Sequence, residues 1–167
     1  MFLESERLTI EEAKTSEAPF YFELFNDPDW KRYINDKGLK TIEETRVYLD
    51  DVLSKNKKLK GLGFFSVRLK SSNELIGVTT ALHRDALAYI DIGYGFLPKG
   101  RGKGFAYEAT SLMLSYVQNK FKQKKVYALT VPENIRSQKL LKKLDFKFVE
   151  KKEVFKGEED YVFEYLF

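Results

Sequence analysis

The chain has 167 residues, a length that suits one domain; it is 43% hydrophobic and sets 29 lysines and arginines against 25 acidic residues, a net charge of +4. It has no cysteine and one histidine, His83, which excludes disulfides, a thiolate nucleophile, cysteine-built zinc sites and metal sites built on several histidines. No metal is therefore expected, nor direct nucleic-acid binding, for which +4 is too small a charge, nor a membrane partner, since no stretch approaches the ~20 apolar residues that span a bilayer. Met1–Arg7 is acidic and lacks an apolar h-region, so no signal peptide is expected, and a cytoplasmic location is the default.

In chain order, Arg7–Glu11 alternates as a first strand. Ser16–Phe25 reads as a helix with Pro19 in its first turn, broken at Asn26–Asp29, and Trp30–Ile34 is a short amphipathic piece. Thr41 and Glu44 form a capping box for a helix running to about Lys57, with Ile42, Leu49, Val52 and Leu53 on one face. Gly63–Leu69, Leu75–Leu82 and Leu87–Leu97 read as three antiparallel strands joined by turns. Tyr107–Phe121 is a helix, Val126–Val131 a short buried strand, Glu133–Leu144 a helix, and Phe146–Val154 with Tyr161–Phe167 a closing hairpin. Only Leu87–Leu97 and Val126–Val131 are joined by a helical crossover, so only that pair should be parallel, with the rest a meander. The expected fold is α+β (mixed α/β), a single domain over 1–167.

Pro98–Ala106 carries glycines at 100, 102 and 104 between a strand and a helix, with Arg101 and Lys103 interleaved. Bare backbone N–H groups at a helix N-terminus suit an anion such as a pyrophosphate; a turn made soluble by two cations fits the same residues. A P-loop fails, because Gly95 to Gly100 is followed by Arg101-Gly102 rather than Lys-Ser/Thr. A dinucleotide fingerprint fails too, because its third glycine falls on Phe105 and the preceding strands are antiparallel.

Arg101-x-x-Gly104-x-Ala106 resembles the Q/R-x-x-G-x-G/A acyl-CoA motif of the GNAT superfamily of N-acetyltransferases. A second block agrees, Thr130–Ser137 followed by Leu140-Leu141-x-x-Leu144-x-Phe146, as do Arg7–Ile10 and Asn26–Trp30. The resemblance covers essentially the whole chain and is nearest the Rim-type branch, which includes ribosomal-protein N-terminal acetyltransferases. It implies a mostly antiparallel sheet of about seven strands with helices on both faces, splayed at the parallel pair to admit acetyl-CoA as cosubstrate. It places the pantetheine arm along Phe96 and Leu97, with a backbone N–H near Phe96 receiving the developing oxyanion. The pyrophosphate would lie on Gly102, Lys103, Gly104, Phe105 and Ala106, with Arg101 and Lys103 facing phosphates.

The resemblance also makes Ser137 the candidate general acid for the leaving thiolate and Asn134 a ligand of the cofactor arm or of an ordered water. At i, i+3 the same two residues suit a helix N-cap. Asp91 is the candidate base, directly or through water, with Glu153 a rival and His83 a turn or groove-wall residue or a less favoured base. Trp30, Arg32 and Tyr33 fall where the family walls the acceptor groove; core packing is the plainer reading of Trp30. The tyrosine acid of other branches would be Leu141 here, so that variant is absent. Asp145 stands where relatives usually carry glycine, which would cost about 1 kcal/mol in a left-handed cap. The expected partner is an amine acceptor, with a peptide or protein N-terminus favoured. An α-amine (pKa ~8) is partly neutral at pH 7, whereas a lysine (~10.4) has only ~0.1% neutral form. A small-amine acetyltransferase, a non-catalytic acyl-CoA sensor and an RNA-associated accessory protein are the alternatives, and the chain is expected as a monomer or homodimer.

Overall fold

The structure is a computed structural model that describes residues 2–167, the side chain of Lys57 excepted. The described strands are β1 (Phe2–Glu4), β2 (Leu8–Glu12), β3 (Gly63–Leu69), β4 (Leu75–Leu82), β5 (Asp91–Phe96), β6 (Lys125–Thr130), β7 (Lys147–Lys152) and β8 (Asp160–Leu166). They form one sheet in the order β1-β2-β3-β4-β5-β6-β8-β7. The helices are α1 (Ala18–Asn26), α2 (Pro28–Tyr33), α3 (Ile42–Lys57), α4 (Phe105–Phe121) and α5 (Ile135–Lys143). The expected parallel pair is β5 and β6, and it is barely formed: its register is the single pairing of Asp91 with Tyr127. Beyond that point the two strands part.

Three expectations need correction. The sheet has eight strands because a three-residue β1 pairs with β2. The meander fails at its end, where β8 inserts between β6 and β7 and leaves β7 at the edge. The third long strand begins at Asp91 rather than Leu87, because the Leu87 N–H is spent in a turn on the Arg84 carbonyl and pairing with β4 ends at Leu82 opposite Asp91.

Strand alternation sorts the core into two layers. Ile92, Phe96, Phe65 and Val67 pack with Phe105, Ala109, Met113 and Leu141 of α4 and α5. Val78 and Leu97 pack with Tyr21, Leu24, Phe25, Trp30 and Leu49 of α1 to α3 on the other face. The Thr41–Glu44 capping box opens α3 as expected, although Ile42 is exposed and Leu49 is the residue that seals the core. Asp145 does adopt a left-handed cap, at φ +66°, so that the Phe146 N–H can reach the Leu141 carbonyl at 3.0 Å.

Candidate active site

Two cavities open where β5 and β6 separate. One, of about 290 Å³, lies at the start of α4 and is lined by Tyr94, Phe96, Gly102, Gly104, Phe105, Ala106, Leu140 and Lys143 among others. The other, of about 510 Å³, lies chiefly on the opposite face, against Tyr48, Phe64, Thr80, Arg84, Asp91, Gly93 and Asp160. Trp30, Tyr33, Ile34, Tyr94, Asn134 and Ser137 line both, so the gap between the strands joins them.

The first cavity is built largely from backbone. Gly102 (φ +72°) and Gly104 (φ +80°) turn the chain into α4, and a β-carbon at Gly102 would meet nothing, so conformation rather than space calls for glycine there. Helical bonding begins with the Glu108 N–H on the Gly104 carbonyl, at 3.0 Å. The N–H groups of Phe105, Ala106 and Tyr107 thus lie outside the helix ladder, at the positive end of its dipole. Arg7 holds this turn from outside: it donates to the Lys103 carbonyl and pairs with Glu108 at 2.6 Å. Burial tends to raise the Glu108 carboxyl, but hydrogen bonds from Ser5 and Arg7 outweigh it and hold the group below its ordinary range.

β5 supplies the wall of the gap. The Leu97 N–H donates to the Ile76 carbonyl at 3.0 Å, so the alternate N–H groups of Tyr94 and Phe96 turn away from β4 toward the parting of the strands. The Phe96 N–H therefore faces the gap. Leu97 does not: its N–H belongs to β4, its side chain is buried in the α1–α3 layer, and it lines neither cavity. Gly95 is required by space, since a β-carbon there would fall 2.5 Å from the Trp30 ring.

Two expected phosphate ligands are otherwise engaged. Arg101 lines the cavity, but its guanidinium is spent on the Phe96 carbonyl (2.9 Å), Asp29 (3.0 Å) and Asp27. Asp27 also caps α2 through the N–H groups of Asp29 and Trp30, so Arg101 ties the α1–α2 corner to the glycine turn. Lys103 is exposed, donates to the Lys99 carbonyl at 3.1 Å and does not line the cavity. The cavity's cations are instead Lys143, seated over the Tyr107 ring, and Arg136, which pairs with Asp29 at 2.6 Å. That pairing is the main reason the Asp29 carboxyl lies below its ordinary range. Lys143 was legible as the residue six beyond Ser137, on the same helical stripe as Leu140.

At the gap, Ser137 Oγ shares a 2.9 Å hydrogen bond with the Tyr94 hydroxyl. Burial pushes the Tyr94 phenol up to about 12, against the smaller opposing effect of Ser137, so it keeps its proton at neutral pH. The Asn134 side-chain oxygen accepts the Ser137 N–H at 3.1 Å, which makes Asn134 the cap of α5 as well as a wall of both cavities. The sequence reading missed Tyr94. Its signal was strand alternation, which sets it on the face of Ile92 and Phe96 rather than that of Gly93 and Gly95.

Asp91 lines the second cavity and is buried, with Arg84 Nε 2.7 Å from its Oδ1, close in charge but off the hydrogen-bond direction. Burial raises its carboxyl to about 6 in spite of Arg84 and, more weakly, His83. His83 itself is exposed and lines neither cavity. Glu153 is exposed and accepts the Gly157 N–H at 3.1 Å in the β7–β8 turn, and it too lies outside both cavities. Trp30 is buried against Phe25, 5.0 Å between ring centres, and still reaches both cavities, so packing and wall-building coincide in one residue. Tyr33 is a wall of both, with Arg32 over its ring.

Residues 7–147 match the sequence model of the acetyltransferase (GNAT) domain. The chain belongs to the GNAT acetyltransferase family. The acetyltransferase is 28% identical over 146 residues to the uncharacterized N-acetyltransferase p20 of Bacillus licheniformis, an alignment that covers 86% of this chain and 81% of the relative. Its fold matches the crystal structure of a GNAT-family acetyltransferase from Bacillus anthracis with a TM-score of 0.80 and 27% identity, over 99% of this chain and 98% of that one. The ribosomal L7/L12 α-N-protein acetyltransferase RimL, solved with coenzyme A, matches at a TM-score of 0.84 over 99% of this chain and 98% of that one; at 14% identity it shows the fold alone. No helix among the described residues is long and apolar enough to cross a membrane.

Proposed function

We propose that this acetyltransferase moves the acetyl group of acetyl-CoA to a primary amine by direct attack in a ternary complex, with a peptide or protein N-terminal α-amine favoured, in the manner of the Rim-type branch. The observation that carries this reading is the Tyr94–Ser137 pair at the one opening shared by the two cavities. The residues present fit the cosubstrate: a diphosphate matches the free N–H groups opening α4, with Lys143 and Arg136 as nearby charge. The Phe96 N–H faces the gap, where charge develops on the acetyl oxygen.

The neutral amine attacks the carbonyl carbon, a C–N bond forms and the C–S bond breaks. Ser137 donates the proton that the leaving sulfur takes and recovers one from solvent through the Tyr94 hydroxyl, so that Tyr94 ends the turnover protonated as it began. The proton shed by the amine passes through water to Asp91, whose raised pKa of about 6 leaves it largely ionised at pH 7. Such a weak base, at the closed base of the gap, suits an acceptor that is already partly neutral. That favours an α-amine over a lysine side chain. RimL, an α-N-protein acetyltransferase by its description, shares the fold and points the same way.

The test is free-thiol release from acetyl-CoA across matched acceptors. Peptides with a free N-terminus should be turned over at least 10-fold faster than the same peptides with a blocked N-terminus and one internal lysine. Equal rates would remove the α-amine preference, and acetyl-CoA binding without release to any amine would leave a sensor domain.

A further inference from the structure

The second cavity is electrically divided. Its end near the gap is walled by Trp30, Tyr33 and Ile34, an apolar setting that favours the neutral form of an amine. Its other wall carries three carboxylates, Asp91, Glu158 and Asp160, beside Arg84; the two lysines that also line the cavity are engaged elsewhere, Lys37 over the Phe25 and Tyr48 rings and Lys55 on Asp51 at 2.6 Å. Arg84 is committed to Asp91 at 2.7 Å, and its effect on Asp160 is only that of a more distant charge. Asp160 is 4% exposed; the Val154 N–H bonds its carboxylate, yet its Oδ2 has no partner among the described residues. Register places Asp160 just before Tyr161, which pairs with Thr130, where β6 has already left β5. It therefore flanks the mouth of the gap, with Asp91 at its base.

A buried carboxylate with an unmatched oxygen is relieved by a proton or by a cation: burial and the Glu158 charge raise the Asp160 carboxyl above its ordinary range, and a cation seated on it would hold it ionised. No group of three carboxylates or imidazoles among the described residues converges there as metal ligands do, which favours an organic cation. The reacting amine is not that cation, since a carboxylate holds an amine in its charged, unreactive form.

We infer that the acceptor carries a second cationic nitrogen apart from the reacting one, and that Asp160, with Glu158 beside it, is the subsite that holds it. This rests on the acetyl-transfer reading above and adds the acceptor's chemical class to it. Two sources share that chemistry: an α,ω-diamine, and a peptide whose N-terminal residue is followed by lysine.

The test is calorimetric titration of the whole protein, first with acetyl-CoA and then, saturated with coenzyme A, with acceptors. The acceptors are 1,4-diaminobutane against 4-amino-1-butanol, and a short peptide with Lys second against the same peptide with Gln second. The member of at least one pair with the additional cationic nitrogen should bind 10-fold or more tightly, and Asp160→Asn should abolish that preference while leaving the affinity of the member without it within about threefold. The pair that discriminates names the source. Equal binding within both pairs in the wild type overturns the inference, as does an Asp160→Asn variant that keeps the preference. Should Asp160→Asn not fold, Glu158→Gln must reduce the preference by at least threefold, and an unchanged preference counts against the subsite. Failure to bind acetyl-CoA at the first step would instead strike the acetyl-transfer reading.

Discussion

The two sides of the gap are made of different material. The α4 side is backbone: two glycines with positive φ, three N–H groups outside the helix ladder, and β5 N–H groups turned to the parting of the strands. The other side is side chain, gathered from α2, α3, β4, β5, β8 and the turns between them. Backbone recognition fits the proposed cosubstrate, and side-chain recognition fits the proposed acceptor. Ser137 and Tyr94 stand on the boundary.

The largest expected effect falls on that boundary. Ser137→Ala keeps the backbone N–H that Asn134 caps, so the fold should hold, while kcat falls by about 100-fold with the KM for acetyl-CoA within about threefold. Tyr94→Phe should cost roughly 10-fold in kcat. Stopped-flow thiol detection reads both, and unchanged rates would assign the pair to packing.

Arg101→Met probes whether that cation serves the fold or the ligand. It removes the cation that Asp27 and Asp29 share, leaving Asp29 paired with Arg136 and Asp27 with its α2 cap, and should lower stability by about 1–2 kcal/mol, less than for a fully buried pair because Arg101 is partly exposed. Urea titration checks it. Unchanged stability with a large loss of acetyl-CoA affinity would restore Arg101 as a phosphate ligand.

Asp91 gives the acceptor side a pH signature. Its carboxyl is raised to about 6, so it favours the fold below its ordinary unfolded value of about 3.9, and that contribution is lost as pH rises through about 6. The rate should run oppositely: kcat/KM expressed per neutral acceptor should rise roughly 10-fold from pH 5 to pH 7, a slope that Asp91→Asn removes. A profile unaltered by Asp91→Asn would free Asp91 from the reaction. The smallest effect is Asp145→Gly, which relieves a left-handed residue at φ +66° and should add about 1 kcal/mol in the same urea assay, without changing turnover.

This division also explains what the sequence revealed. The turn at Gly102–Gly104 and the Thr41–Glu44 capping box are local events with local residue signals, the parallel pair was legible from the helical crossover between its strands, and the left-handed Asp145 was flagged by the resemblance. The splay was legible only through family resemblance, because strand composition does not say where pairing stops. Arg101 misled because an arginine in a glycine turn looks the same whether it meets a phosphate or two aspartates 72 and 74 residues away. Tyr94 escaped because its partner lies 43 residues along the chain. Asp160 and Arg84 drew no attention for a similar reason: burial of charge is a property of the assembled cavity, not of its segments.

The measurement that bears most directly on the account is calorimetric titration of acetyl-CoA into the wild-type chain and into Gly104→Glu. The variant puts a carboxylate and a β-carbon at φ +80°, on the N–H groups that open α4. Saturable one-to-one binding by the wild type, weakened at least 100-fold in a folded Gly104→Glu, is the predicted result. Wild-type protein that takes up no acetyl-CoA, or a folded variant that binds it equally well, would contradict the proposal that bare peptide amides seat the cosubstrate.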